Sequence, residues 1–174
     1  LQGHPDMRKT PGVDANTGSL GQGIAIAMGM ALAAKHARKD YRVFTLVGDG
    51  ECQEGLVWEA AMSAAHYKLD NFTVIMDHNR LQIDGDNDDV MSLGDIMGKF
   101  AAFGFDTYKV DGHDIDAVTA ALKAPFTPGR PKFVCCETVK GKGVSFMENK
   151  ASWHGSTIKQ ADYEAAIKEL KEAL

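Results

Sequence analysis

An aspartate between two glycines, Gly48-Asp49-Gly50, and an asparagine at Asn79 offer two hard oxygen donors, one carboxylate and one amide. Such oxygens suit Mg²⁺ or Ca²⁺, and two protein donors suit an Mg²⁺ shared with the phosphates of a ligand better than a closed cage. His4 in Gly3-His4-Pro5-Asp6 and His154 in Trp153-His154-Gly155 could move protons, although on position alone each is more simply a surface histidine. Glu51, Glu54 and Glu59 follow the glycine turn. Acids are favoured near a helix start, which suffices for Glu51.

The elements that must position these groups read from periodicity. Val43 to Val47 is a short apolar run of β-formers, ended by the glycine turn. From Gly55 to Tyr67 apolar and small residues recur at helical spacing, through Leu56, Val57, Ala60, Ala61 and Ala64. Phe72 to Met76 is a second apolar run, ended by Asp77-His78-Asn79. Strand, helix and strand at this length make a right-handed crossover between parallel strands. Asp49 and Asn79 then lie past the carboxyl ends of neighbouring strands, on the edge where open α/β sheets bind ligands.

Thr17 to Ala37 is a helical pattern dominated by Gly and Ala, expected to begin at Thr17-Gly18-Ser19. Its free N–H groups and positive dipole end would receive an anionic phosphate, or Thr17 or Ser19 would act as a plain N-cap. Because glycine weakens a helix, Gly21, Gly23 and Gly29 are expected at close backbone approaches. Leu81 to Met91 reads as an acidic loop. Asp84 to Asp88 imitates an EF-hand start, but Asp89 stands where glycine is needed and Asp95 where glutamate is needed, so no calcium loop is expected.

Farther on, a short amphipathic helix is expected over Asp95–Phe103, a strand over Phe105–Val110, a helix Ile115–Lys123 capped by Asp114, and a buried strand Lys132–Thr138. His113 is expected to be structural. Lys140 and Lys142 could face phosphate, but the glycine that a Walker motif needs is missing. A terminal amphipathic helix is expected over Ala161–Leu174.

The chain has 174 residues, 44% of them hydrophobic, enough for one domain with a real core over 1–174. A net charge of −5 argues against a nucleic-acid surface. No apolar run reaches the ~20 residues of a membrane span. Three cysteines, two of them adjacent, make no disulfide framework and fit a reducing cytoplasm.

Gly48-Asp49-Gly50, then 28 residues, then Asn79 resembles the thiamine-diphosphate motif. The match extends to GHPD at Gly3–Asp6, PGVDANTGSLGQG at Pro11–Gly23, GDGECQEG at Gly48–Gly55, VDGHD at Val110–Asp114, TVKGKG at Thr138–Gly143 and WHG at Trp153–Gly155, all in the order found in transketolases. The resemblance implies a doubly wound, mainly parallel α/β fold. It implies thiamine diphosphate held through Mg²⁺ (or Ca²⁺) by Asp49, Asn79 and the carbonyl of Leu81. Gly18, Leu20, Gly48, Gly50, Ile83 and His154 would contact the cofactor, with Leu20 and Ile83 against its rings.

By the same resemblance, His4 faces the sugar donor, His154 serves the diphosphate and proton transfer, and Glu54 and Glu59 belong to a relay linking two active sites across a dimer. The implied reaction moves a two-carbon unit from a ketose phosphate to an aldose phosphate. Transketolases carry further residues before GHPD, including a first strand, and two domains after WHG. One of those supplies the glutamate that activates the aminopyrimidine. The chain is therefore expected to be a fragment or one subunit of a split enzyme, working in a homodimer or heterotetramer with a pyrimidine-binding partner. Rival readings are a deoxyxylulose-phosphate synthase, an E1-type dehydrogenase subunit, or a non-catalytic cofactor-binding scaffold.

Overall fold

The computed structural model describes residues 3–172. Four parallel strands form its main sheet in the order β1-β2-β6-β5: β1 (Val43–Gly48), β2 (Phe72–His78), β5 (Asp106–Asp111) and β6 (Lys132–Glu137). β2 and β6 lie inside and are apolar on both faces, as parallel strands covered on both sides must be.

On one face α1 (Gln22–His36), α2 (Gly55–His66) and α4 (Ile96–Phe103) bury Val47, Phe72, Val74, Met76, Phe133 and Cys135. The rings of Phe100 and Phe133 stack there at 3.8 Å between centroids. On the other face α5 (Ile115–Lys123) covers Val134 and Cys136. Helices on both faces make the sheet doubly wound. β1 is an edge strand among the described residues, and its Phe44 and Leu46 are exposed.

Three expectations are corrected. α1 starts at Gln22, not near Thr17. Its N-cap, Gly21, holds the left-handed φ of 78°, which turns the chain before the helix can propagate. Gly29 makes no close approach: a Cβ built there meets nothing within 4 Å. The acidic segment after Asn79 is not a bare loop. Leu81–Gln82 (β3) and Gly85–Asp86 (β4) pair antiparallel, and Asp86 caps the short helix α3 (Asn87–Met91) through the Asp88 amide at 2.8 Å.

His113 is structural as expected, accepting from the Val139 amide at 2.8 Å. The terminal helix α6 spans Gln160–Glu172, and the expected extension to Leu174 lies outside the described residues. On its apolar face Ile167 is half-buried, whereas Tyr163 and Leu170 stay exposed.

Candidate functional site

The carboxyl edge of the sheet brings Asp49 and Asn79 to neighbouring strand ends. β1 stops at Gly48, and Asp49 follows as the cap of a single 3₁₀ turn, Gly50–Gln53. The side chain of Asp49 is buried, at 2% exposure. One carboxylate oxygen accepts from the Gly50 amide at 2.7 Å and the other from the Arg80 amide. Among the described residues no lysine, arginine or histidine pairs with it. A buried carboxylate met only by backbone amides carries an uncompensated charge.

Asn79 lies just past β2. The Asp49 amide donates to the Asp77 carbonyl at 3.2 Å, which extends the β1–β2 ladder and holds the two strand ends side by side. Arg80, between Asn79 and Leu81, takes a left-handed φ of 67°, so the chain reverses there and its amide lands on Asp49. The Asn79 side-chain oxygen accepts from the Leu81 amide at 3.0 Å, leaving one of its two lone pairs free. Asp49 thus lies in one turn and Asn79 and Leu81 in a second, joined to it through the Arg80 amide.

This donor set fits a hard divalent ion shared with phosphates. A second observation agrees. Asn87, at the head of α3, is 4% exposed, yet its amide oxygen and nitrogen have no partner among the described residues. It is wedged between the same two turns: its backbone amide donates to the Arg80 carbonyl at 2.9 Å, and a Cβ built on Gly50 would stand 3.6 Å from its side-chain oxygen. Nothing in the sequence pattern singles out Asn87.

Glu51 is the other residue that sequence reasoning undervalued. Its carboxylate takes the Gly21 amide at 2.9 Å and the Gly48 amide at 3.0 Å, tying the threshold of α1 to the end of β1. Its helix-start position gave no hint of this, because the partner at Gly21 is distant in sequence. Beneath it Cys52 is fully buried. Burial, helped by the Glu51 and Asp49 charges, pushes its thiol well above the ordinary range.

The other expected groups lie on separate segments. The ring of His4 lies over Gly18, where a Cβ would come within 2.5 Å of it. Leu20, beside Gly21, and Ile83, in the β3–β4 hairpin, are exposed at 55% and 66%. Glu54 packs its Cβ 2.8 Å from the point where a Cβ on Gly21 would stand, and the residue is exposed. Glu59 is exposed on α2, and no ion pair holds Glu54 or Glu59 among the described residues. His154 follows the turn of Trp153, whose indole donates to the Phe146 carbonyl at 3.0 Å. Its Nδ1 lies 3.3 Å from the Lys140 ammonium.

The family model of the transketolase thiamine diphosphate binding domain matches residues 1–174. One subunit of the apulose-4-phosphate transketolase of Phocaeicola vulgatus is 41% identical, the match covering 100% of this chain and 62% of that protein. The 6-deoxy-6-sulfo-D-fructose transketolase subunit SqwG of a Clostridium species is 40% identical, over 98% of this chain and 62% of that protein. The chain therefore spans about three fifths of the length of these curated relatives. Among solved structures, transketolase from Campylobacter jejuni superposes with a TM-score of 0.85 at 33% identity, over 92% of this chain and 26% of that one.

Proposed function

The chain belongs to the transketolase thiamine-diphosphate-binding family, and from that premise we propose that it holds the diphosphate of the cofactor through Mg²⁺ for a ketol-transfer enzyme. The observation that supports this best is the buried Asp49 carboxylate, met only by backbone amides and joined to the Asn79–Leu81 turn through Arg80. Asp49, the Asn79 side-chain oxygen and the Leu81 carbonyl would hold the metal. Gly18, Gly48 and Gly50 would let the backbone approach the diphosphate. Leu20 and Ile83 would give their exposed apolar surface to the cofactor rings.

When bound, thiamine diphosphate supplies the nucleophilic carbon that breaks a C–C bond beside a carbonyl. His4 and His154 orient the sugar and diphosphate and exchange protons with hydroxyls. Glu54 and Glu59, exposed near the α1 threshold and on α2, serve the contact between two active sites in a dimer. The substrates are a ketose phosphate donor and an aldose phosphate acceptor. The pyrimidine half of the site comes from a partner polypeptide, in keeping with relatives that are themselves named as subunits of transketolases. Among the described residues no helix is long and apolar enough to cross a membrane. Three free buried thiols suit a reducing compartment.

Calorimetric titration of thiamine diphosphate with Mg²⁺, into the chain alone and with its partner half, tests this. Binding in either case that is lost in Asp49→Ala and Asn79→Ala is the expected result. No binding even with the partner half present overturns the reading.

A further inference from the structure

A cluster unconnected with phosphate chemistry lies one residue before Asn79. His78 ends β2, and Cys135 and Glu137 project from β6 beside it, on the face that α1, α2 and α4 cover. His78 Nδ1 is 2.7 Å from Glu137 Oε1, and the Cys135 sulfur is 3.7 Å from His78 Nδ1 and 3.9 Å from Glu137 Oε1. A tetrahedral ion with bonds of about 2.0–2.3 Å sets its ligand atoms about 3.3–3.7 Å apart. One edge of this triangle already has that size, a second is longer by about 0.2 Å, and the third needs to open by about 0.6 Å.

We propose that His78, Cys135 and Glu137 form a three-ligand site for a thiophilic divalent ion, Zn²⁺ by preference, with the fourth position open to solvent. One nitrogen, one sulfur and one oxygen donor suit zinc, whereas a thiolate ligand excludes Mg²⁺. The site is therefore chemically separate from Asp49 and Asn79.

Charge and access both balance. One thiolate and one carboxylate neutralise a divalent ion. On binding, the S–H bond of Cys135 breaks, the metal–sulfur bond forms, and one proton leaves to solvent. The carboxylate of Glu137 divides its work: Oε2 stays with Arg80 at 2.9 Å, and Oε1, the oxygen facing His78 and Cys135, is free to ligate once Lys109 leaves it from 3.1 Å. Lys109 is 57% exposed, so returning it to water costs little. Arg80 then orients the ligating carboxylate from outside, as partners of metal ligands commonly do. The His78 and Glu137 side chains keep 19% and 26% of their surface in solvent, so an ion enters between them and meets the buried sulfur beneath.

Cobalt titration in excess Mg²⁺ tests the site. The metal-free chain should take up a single Co²⁺ with tetrahedral visible bands and a near-ultraviolet thiolate charge-transfer band, both bleached by Zn²⁺. Cys135→Ser should remove the near-ultraviolet band, whereas Cys136→Ser, on the face under α5, should keep it. His78→Gln and Glu137→Gln, at part-exposed positions, should each weaken cobalt binding about tenfold or more. No charge-transfer band in the unmodified chain, or a full band in Cys135→Ser, overturns the proposal. If Cys135→Ser does not fold, undiminished cobalt affinity in both His78→Gln and Glu137→Gln overturns it instead.

Discussion

The amide of Gly21 donates to the Glu51 carboxylate at 2.9 Å, across 30 residues of sequence. The same carboxylate takes the Gly48 amide at 3.0 Å, so one side chain fixes the start of α1 against the end of β1. Hydrogen bonds to a charged group contribute roughly 1.5–3 kcal/mol each. With both bonds lost, Glu51→Ala is expected to destabilise the chain by about 3 kcal/mol or more, and Glu51→Gln, which keeps one acceptor, by less. Urea unfolding measures this as a lower midpoint at unchanged slope.

Two glycines in the same region should respond with opposite signs. Gly18 has a φ of 139° and the His4 ring above it. Gly18→Ala should cost about 1–3 kcal/mol from backbone strain and the displaced imidazole. Gly29 sits in mid-helix with open space around it. Gly29→Ala should stabilise by about 0.5–1 kcal/mol. Thermal or urea unfolding of the two variants side by side decides. Destabilisation by Gly29→Ala would mean that its backbone is approached by something outside this chain.

The contrast shows what local sequence reveals. β1, α2, β2 and α5 were legible because periodicity and capping are local: Asp114 caps α5 at the Ala117 amide, as its position before an apolar helical run implies. Asp49 and Asn79 were legible because two parallel strands must end on one edge. The start of α1 was not, because Gly21 takes its left-handed turn beside a carboxylate from a distant segment. β3 and β4 have two residues each, too few to show an alternation. Glu51 and Asn87 were undervalued because each owes its place to contacts between turns, which spacing does not encode.

Asp70 gives a pH dependence with a definite sign. Burial disfavours its charge, but the Lys35 ammonium at 2.6 Å and the Gly129 amide at 2.7 Å outweigh that and hold the carboxyl below its ordinary value. A depressed folded pKa gives stability that is fully present above the unfolded value of about 3.9 and lost as pH falls through the folded one. Unfolding midpoints measured from roughly pH 6 down to pH 2.5 should fall through this acid window. Asp70→Asn should be less stable at neutral pH and show a shallower acid limb. An unchanged acid limb in Asp70→Asn would show that other carboxylates carry the dependence.

Asn87 should separate folding from ligand binding. Its amide is buried with neither atom partnered, between the turns of Asp49 and Asn79. An unsatisfied buried polar group costs about 1–3 kcal/mol, so the apolar near-isostere Asn87→Leu should raise the stability of the cofactor-free chain by about 1 kcal/mol or more. If the amide instead finds its partner when Mg²⁺ and the diphosphate order the two turns, the same substitution should weaken cofactor binding. Stability up and affinity down in one variant is a pattern that a purely structural asparagine cannot produce. A structural role would lower the melting temperature of the cofactor-free chain, and paired thermal melts and calorimetric titrations of Asn87→Leu distinguish the two.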